Sequence, residues 1–135
     1  MHPFAAKALG EQGIDAAGWV TRGLTPALVE AADLVLAVDR QTRREIVTLS
    51  PGSLNRTFVL GQFARLALTV PPLPTGMPWE RGRSLLAATR HARPQVSGLD
   101  DYDLADPVGH GIRRFRTTVQ VVEAAVAAIE TPYRT

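Results

Sequence analysis

The chain has no cysteine, so across its 135 residues disulfides and thiolate metal sites are excluded. Lysine is almost missing too: Lys7 is the only one, and the remaining long-chain cations are arginines. Arginine usage of this kind, beside many alanines, reads as nucleotide bias in the gene. Aromatic residues make up only 6%, too few for a base-stacking platform, and the charges are scattered, so no nucleic-acid partner is expected. No run of about 18 apolar residues occurs, which leaves no expected membrane-crossing helix. The opening "MHPFAAKALG" lacks the basic start and long apolar stretch of a secretory signal, so a cytoplasmic location is expected. Neither glycine-rich phosphate loop, G-x-G-x-x-G or G-x-x-x-x-G-K, is present, and no G-x-S-x-G turn presents a serine. His2, His91 and His110 stand far apart, without metal-ligand spacing. Neither a cofactor nor a metal is expected.

What remains is ordinary for a globular protein: 45% hydrophobic residues, 21% charged residues and a net charge of +2. The length fits one domain over residues 1–135. Residues 3–12 read as a short helix with Pro at its first turn. Thr25 caps "PALVEAA", with Pro26 at the first helical position. "DLVLAVD", Asp33 to Asp39, is an all-apolar run between two aspartates. It reads as a strand buried on both faces of a parallel sheet. Residues 40–50 are helical and end at Pro51-Gly52, and "RTFVLG", 56–61, is a second strand. "GQFARLAL" reads as a helical turn. Four prolines between 71 and 78 make a loop, and 80–93 reads as a helix. In the last segment Ile112, Phe115, Val119, Val122, Val126 and Ile129 form one apolar stripe of a helix. Helices alternating with short strands give an α/β class with parallel pairing.

Few residues offer chemistry. Asp106-Pro107, inside "LADPVGHG", places a carboxylate on a loop stiffened by proline, as a general acid requires. The same pair serves equally as a turn or as the cap of the final helix. Asp100, Asp101 and Asp103 form an acidic cluster that reads as a solvated loop. Arg113, Arg114 and Arg116 sit at the start of a helix, where they oppose its dipole, so an anionic partner or a solvated basic face are both open. Trp19 and Trp79 fall in segments read as loops.

The order of these pieces resembles the low-molecular-weight protein tyrosine phosphatases, whose fold the thiol-dependent arsenate reductases share. "HPFAAKALGEQGID" resembles that family's second helix with its closing Gly-Ile. "TPALVEAADLVLAVDRQTRREI" resembles its third helix, the strand after it and the next helix. "RTFVLGQFARL" is similar to its last strand, and "DLADPVGHGIRRFRTTVQVVEAAVAAI" to its Asp-Pro loop and terminal helix. Residues from about 67 to 98 look like an insertion of a kind seen in some bacterial branches. The resemblance implies that Asp106 stands at the general-acid position. It also implies that Asp39 lies where the third strand ends near the active-site loop. Asp39, and His110 and Arg113 on the first turn of the last helix, are the candidates for substrate binding.

Two features depart from the family. Its nucleophile is the cysteine of C-x5-R followed by Ser or Thr, and nothing of that loop is found here. Val108 replaces the aromatic that many members carry. The expectation is therefore a divergent or truncated phosphatase-like chain that is not an active phosphatase. Alternatively the fold is reused by a biosynthetic enzyme with Asp106 as acid or base, or by a non-catalytic interaction module. Met1 reads as an internal methionine of a longer chain as well as it reads as a start. In the family's sheet order, 2-1-3-4, the strand equivalent to "DLVLAVD" adjoins the central one. Without that neighbour its edge is bare. A homodimer or a partner chain pairing through the Asp33–Asp39 edge is expected to complete the sheet.

Overall fold

Three of the helices start at a proline, and two of these also have a polar cap in front of it. In the computed structural model, which describes residues 1–98 and 101–134, the elements are helices α1 (Pro3–Gly10) and α2 (Pro26–Ala31), strand β1 (Val35–Ala37), helix α3 (Arg40–Leu49), strand β2 (Thr57–Val59), and helices α4 (Leu60–Ala67), α5 (Pro78–Ala92) and α6 (Ile112–Glu130). Pro3, Pro26 and Pro78 each take the first helical position, where the missing N–H costs nothing. The Thr25 hydroxyl accepts the Leu28 N–H at 3.3 Å, as the sequence leads one to expect. "GQFARLAL" is more than a turn: α4 is a full helix whose Phe63, Leu66 and Ala67 are buried. Trp79, expected in a loop, lies in the first turn of α5 and is 58% exposed.

The chain divides into two compact units. The first comprises Met1–Gly23 and Ala105–Ala124. Here Ala8 and Phe115 are buried, and the Phe115 ring stacks on His2 at 4.6 Å and meets Phe4 edge-on at 5.7 Å. Helix α1 closes on Gly13 with φ of +76°, the Ile14 N–H reaching back to the Leu9 carbonyl at 3.0 Å. Only glycine adopts that conformation without strain, so the expected closing Gly-Ile is a Schellman cap.

The second unit comprises Leu24–Leu104 and Ala125–Thr135. Its strands are parallel, with Val35 opposite Thr57, Leu36 opposite Phe58 and Ala37 opposite Val59. All three β2 residues are buried. Phe58 meets Phe63 edge-on at 5.2 Å, and Leu66, Ala67, Leu73 and Leu85 complete the core around them. Burying each of those rings contributes about 2–3 kcal/mol. On the other side Val29, Ala37 and Ile46 pack α2 and α3 against β1. Leu73 and Leu85, from the segment expected as an insertion, are part of the main core.

Two further expectations need correction. Strand β1 spans three residues where seven were expected, and it is not buried on both faces: Leu36 is 39% exposed and Val38 49%. Among the described residues its single strand neighbour is β2, so no strand lies along the opposite edge. The α6 stripe also shifts. Phe115 is buried as expected, but Ala125 is buried while Val126 is 45% exposed.

Candidate functional site

Leu104, the last residue before the Asp-Pro loop, is tethered by its N–H to the Val38 carbonyl at 2.9 Å. Two residues further on, the exposed Asp106 turns its Oδ1 onto the Val108 N–H at 2.9 Å. Its carboxylate therefore opens a local turn and does not cap α6. The next turn follows at once: the His110 N–H donates to the Pro107 carbonyl at 3.1 Å, and Gly109, at φ +84°, supplies the left-handed residue. Val108, at the tip, is 59% exposed. One carboxylate oxygen is thus engaged, and the turn holds the group at a defined place on the surface.

After Gly111 the chain enters α6, whose first turn carries no acidic residue. His110, Arg113 and Arg114, with Gly111, Ile112 and Thr117, line one shallow depression. The structure so brings together two of the expected site residues, His110 and Arg113, and adds Arg114. Asp106 does not line that depression. The third arginine of the cluster is spoken for: Arg116 forms a two-pronged pair with Glu11 at 2.8 and 2.7 Å. That hydrogen bond holds the Glu11 carboxyl below its ordinary range. The dipole misfit noted at this helix start is thus answered by Glu11 for Arg116, while Arg113 and Arg114 remain exposed.

Asp39 belongs to the second unit and has a structural duty. It caps α3, its Oδ1 accepting the Thr42 N–H at 2.6 Å. Hydrogen bonds from the Thr42 backbone, its hydroxyl and the Gln41 backbone lower the carboxyl pKa, and Arg44 adds to them. Asp39 is therefore an anion at neutral pH and unsuited to donate a proton. Asp103 holds the same helix end. It accepts the Arg40 N–H at 2.9 Å and pairs with the Arg40 Nε at 3.0 Å. The expected solvated loop is, at Asp103, a clamp on α3. Asp100 lies outside the described residues. Nothing local in the sequence singles out Asp103 for this role, because the Arg40 N–H it accepts lies 63 residues away.

No group of three or more metal-ligating side chains converges among the described residues. No helix is long and apolar enough to cross a membrane among them.

No protein-family model matches the chain, and no curated protein does. Solved structures do match. The tyrosine phosphatase AmsI of Erwinia amylovora superposes with a TM-score of 0.67 at 14% identity, over 99% of this chain and 66% of that one. Wzb of Vibrio vulnificus, in complex with benzylphosphonate, superposes with a TM-score of 0.62 at 18% identity, over 96% of this chain and 66% of that one. At such identities the likeness is one of fold. The chain has the fold of low-molecular-weight tyrosine phosphatases, and it spans 66% of the length of these two proteins.

Proposed function

We propose that this chain is a divergent low-molecular-weight phosphatase-like protein that keeps the Asp-Pro segment and lacks the cysteine chemistry. What supports this reading is one conjunction: the fold likeness to AmsI, and a sequence of 135 residues without cysteine. Attack on phosphorus in that family uses a thiolate. The serine and threonine hydroxyls available here ionise far too weakly at neutral pH to replace it without an adjacent base. Asp106, at the general-acid position, has no leaving group to protonate unless a nucleophile is supplied.

The test is turnover of para-nitrophenyl phosphate by the purified chain, alongside Asp106→Asn. No turnover above buffer is expected from either. A rate that disappears in Asp106→Asn would overturn the reading. Sequencing the coding DNA upstream of Met1 for an in-frame C-x5-R is the complementary measurement, because such a loop would make this chain part of a complete phosphatase.

The depression lined by His110, Arg113 and Arg114 favours a second reading, an enzyme of another type acting on an anionic small molecule; Asp106, its acid or base in that reading, does not line the depression. Saturable binding of an anion such as inorganic phosphate, weakened by Arg113→Ala, would support it. In either case we place the protein in the cytoplasm and propose that the open edge of β1 pairs with a second copy or a partner chain.

A further inference from the structure

A helix interior is a costly place for glycine. Gly82 occupies one in α5, yet crowding does not demand it. A Cβ built there would meet nothing nearer than the Tyr133 Oη, at 3.8 Å. What the missing side chain leaves open is a cavity of about 230 Å³ inside the second unit. Trp79, Gly82, Arg83 and Leu86 fall on one face of α5, at i, i+3, i+4 and i+7, and all four line it. Leu34, Phe63, Leu85 and Ile129 add to the apolar wall, and Tyr133 also lines it.

Charge enters this wall at only two places, the exposed Asp33 and Arg83. No ion pair joins them to each other among the described residues. The Arg83 guanidinium instead lies over the Trp79 ring, 5.3 Å from its centroid. The cavity thus combines an apolar interior with one anion and one cation that are not paired together. Its volume is below the roughly 300 Å³ at which pockets for drug-sized ligands begin. A single ring with a short chain fits it.

We propose that this cavity binds a small zwitterionic aromatic molecule, of the class of free aromatic amino acids. The ring lies between Phe63 and Ile129, the ammonium faces Asp33 and the carboxylate faces Arg83. The site is separate from the Asp106 loop and does not depend on the phosphatase-like reading.

Calorimetric titration of the whole chain with L-phenylalanine, 3-phenylpropionate and phenethylamine tests it. L-phenylalanine is expected to bind at least about tenfold more tightly than either analogue. Arg83→Gln should erase its advantage over phenethylamine, and Asp33→Asn its advantage over 3-phenylpropionate. Gly82→Leu, which fills the cavity, should abolish binding while the far-ultraviolet circular dichroism stays native. Should Gly82→Leu fail to fold, the two exposed charge variants still decide. A parallel readout is quenching of Trp79 fluorescence by L-phenylalanine in a Trp19→Phe background. No heat at millimolar L-phenylalanine, equal affinity for all three compounds, or unchanged binding in a folded Gly82→Leu chain would each overturn the proposal.

Discussion

Asp39 closes the first turn of α3 with a bond to the Thr42 N–H of 2.6 Å. Replacing it by alanine leaves that donor without its acceptor, and the expected loss is about 1 kcal/mol, read as a lower urea midpoint at neutral pH. Asparagine keeps the capping oxygen but cannot ionise. Asp39→Asn should therefore retain most of the stability at pH 7 and change only the acid limb. Folding lowers this carboxyl's pKa below its ordinary 3.8. The stabilisation is therefore fully present above that value and is lost as the pH falls through the folded pKa. A series of urea midpoints from pH 5 downward should fall less steeply in Asp39→Asn than in the parent. Glu11, also lowered by its bond to Arg116, leaves a residual slope. If the two series run parallel, Asp39 is not the group that titrates.

Between segments, a tight fit lies at the start of α4, the closest of those at the glycines. A Cβ on Gly61 would lie 2.8 Å from the Cβ of Tyr102 and 2.9 Å from its Cδ1, a distance that real atoms avoid. Gly61→Ala gains helix propensity worth up to about 1 kcal/mol and loses about 1–3 kcal/mol to overpacking. The net expectation is destabilisation, which Tyr102→Gly should relieve in a double-mutant cycle because it removes the clashing Cβ itself. On α6 the contrast is between two members of the expected stripe. Phe115→Ala should cost about 3–5 kcal/mol, whereas Val126→Ala, at 45% exposure, should stay within about 0.5 kcal/mol. Thermal melts of the two variants check both figures. These cases also mark how far the sequence carries. The start of α2 is legible because Thr25 and Pro26 act within three residues of themselves, whereas Asp39, marked for substrate binding by the resemblance, turns out to cap α3. Val126 is not, because a spacing rule defines a broad stripe and only the packed partners select Ala125 within it. Asp103 is not, because the N–H it clamps belongs to Arg40, 63 residues away. The Asp-Pro turn is half legible. Its turn chemistry is local, but its place in a phosphatase-like fold emerges only from the order of all the elements.

Across the whole molecule the sheet is the least conventional feature. Two strands of three residues each make a small ladder for a parallel sheet, which ordinarily has both faces covered. β2 satisfies that rule, with every residue buried. β1 does not: Leu36 and, just past the strand, Val38 are partly exposed, and β2 is the one strand that pairs β1 among the described residues, while the Leu104 N–H takes the Val38 carbonyl. β1 itself carries no charge or proline of the kind that keeps sheet edges apart, although Asp33 and Asp39 flank it, and pairing with another strand is the expectation. The burial of about 60 Å² of apolar surface per side chain would contribute about 1.5 kcal/mol each, and backbone pairing adds to it. Sedimentation velocity across a range from sub-micromolar to tens of micromolar should show the purified chain forming a dimer that grows with concentration. Leu36→Lys and Val38→Lys should each shift it toward monomer without lowering the helical signal, because both side chains already face solvent. A chain that sediments as a monomer throughout, or a dimer indifferent to both lysines, would exclude this edge as the self-association surface. A partner strand from another polypeptide would then have to be sought by co-purification, with Leu36→Lys as the variant that must lose it.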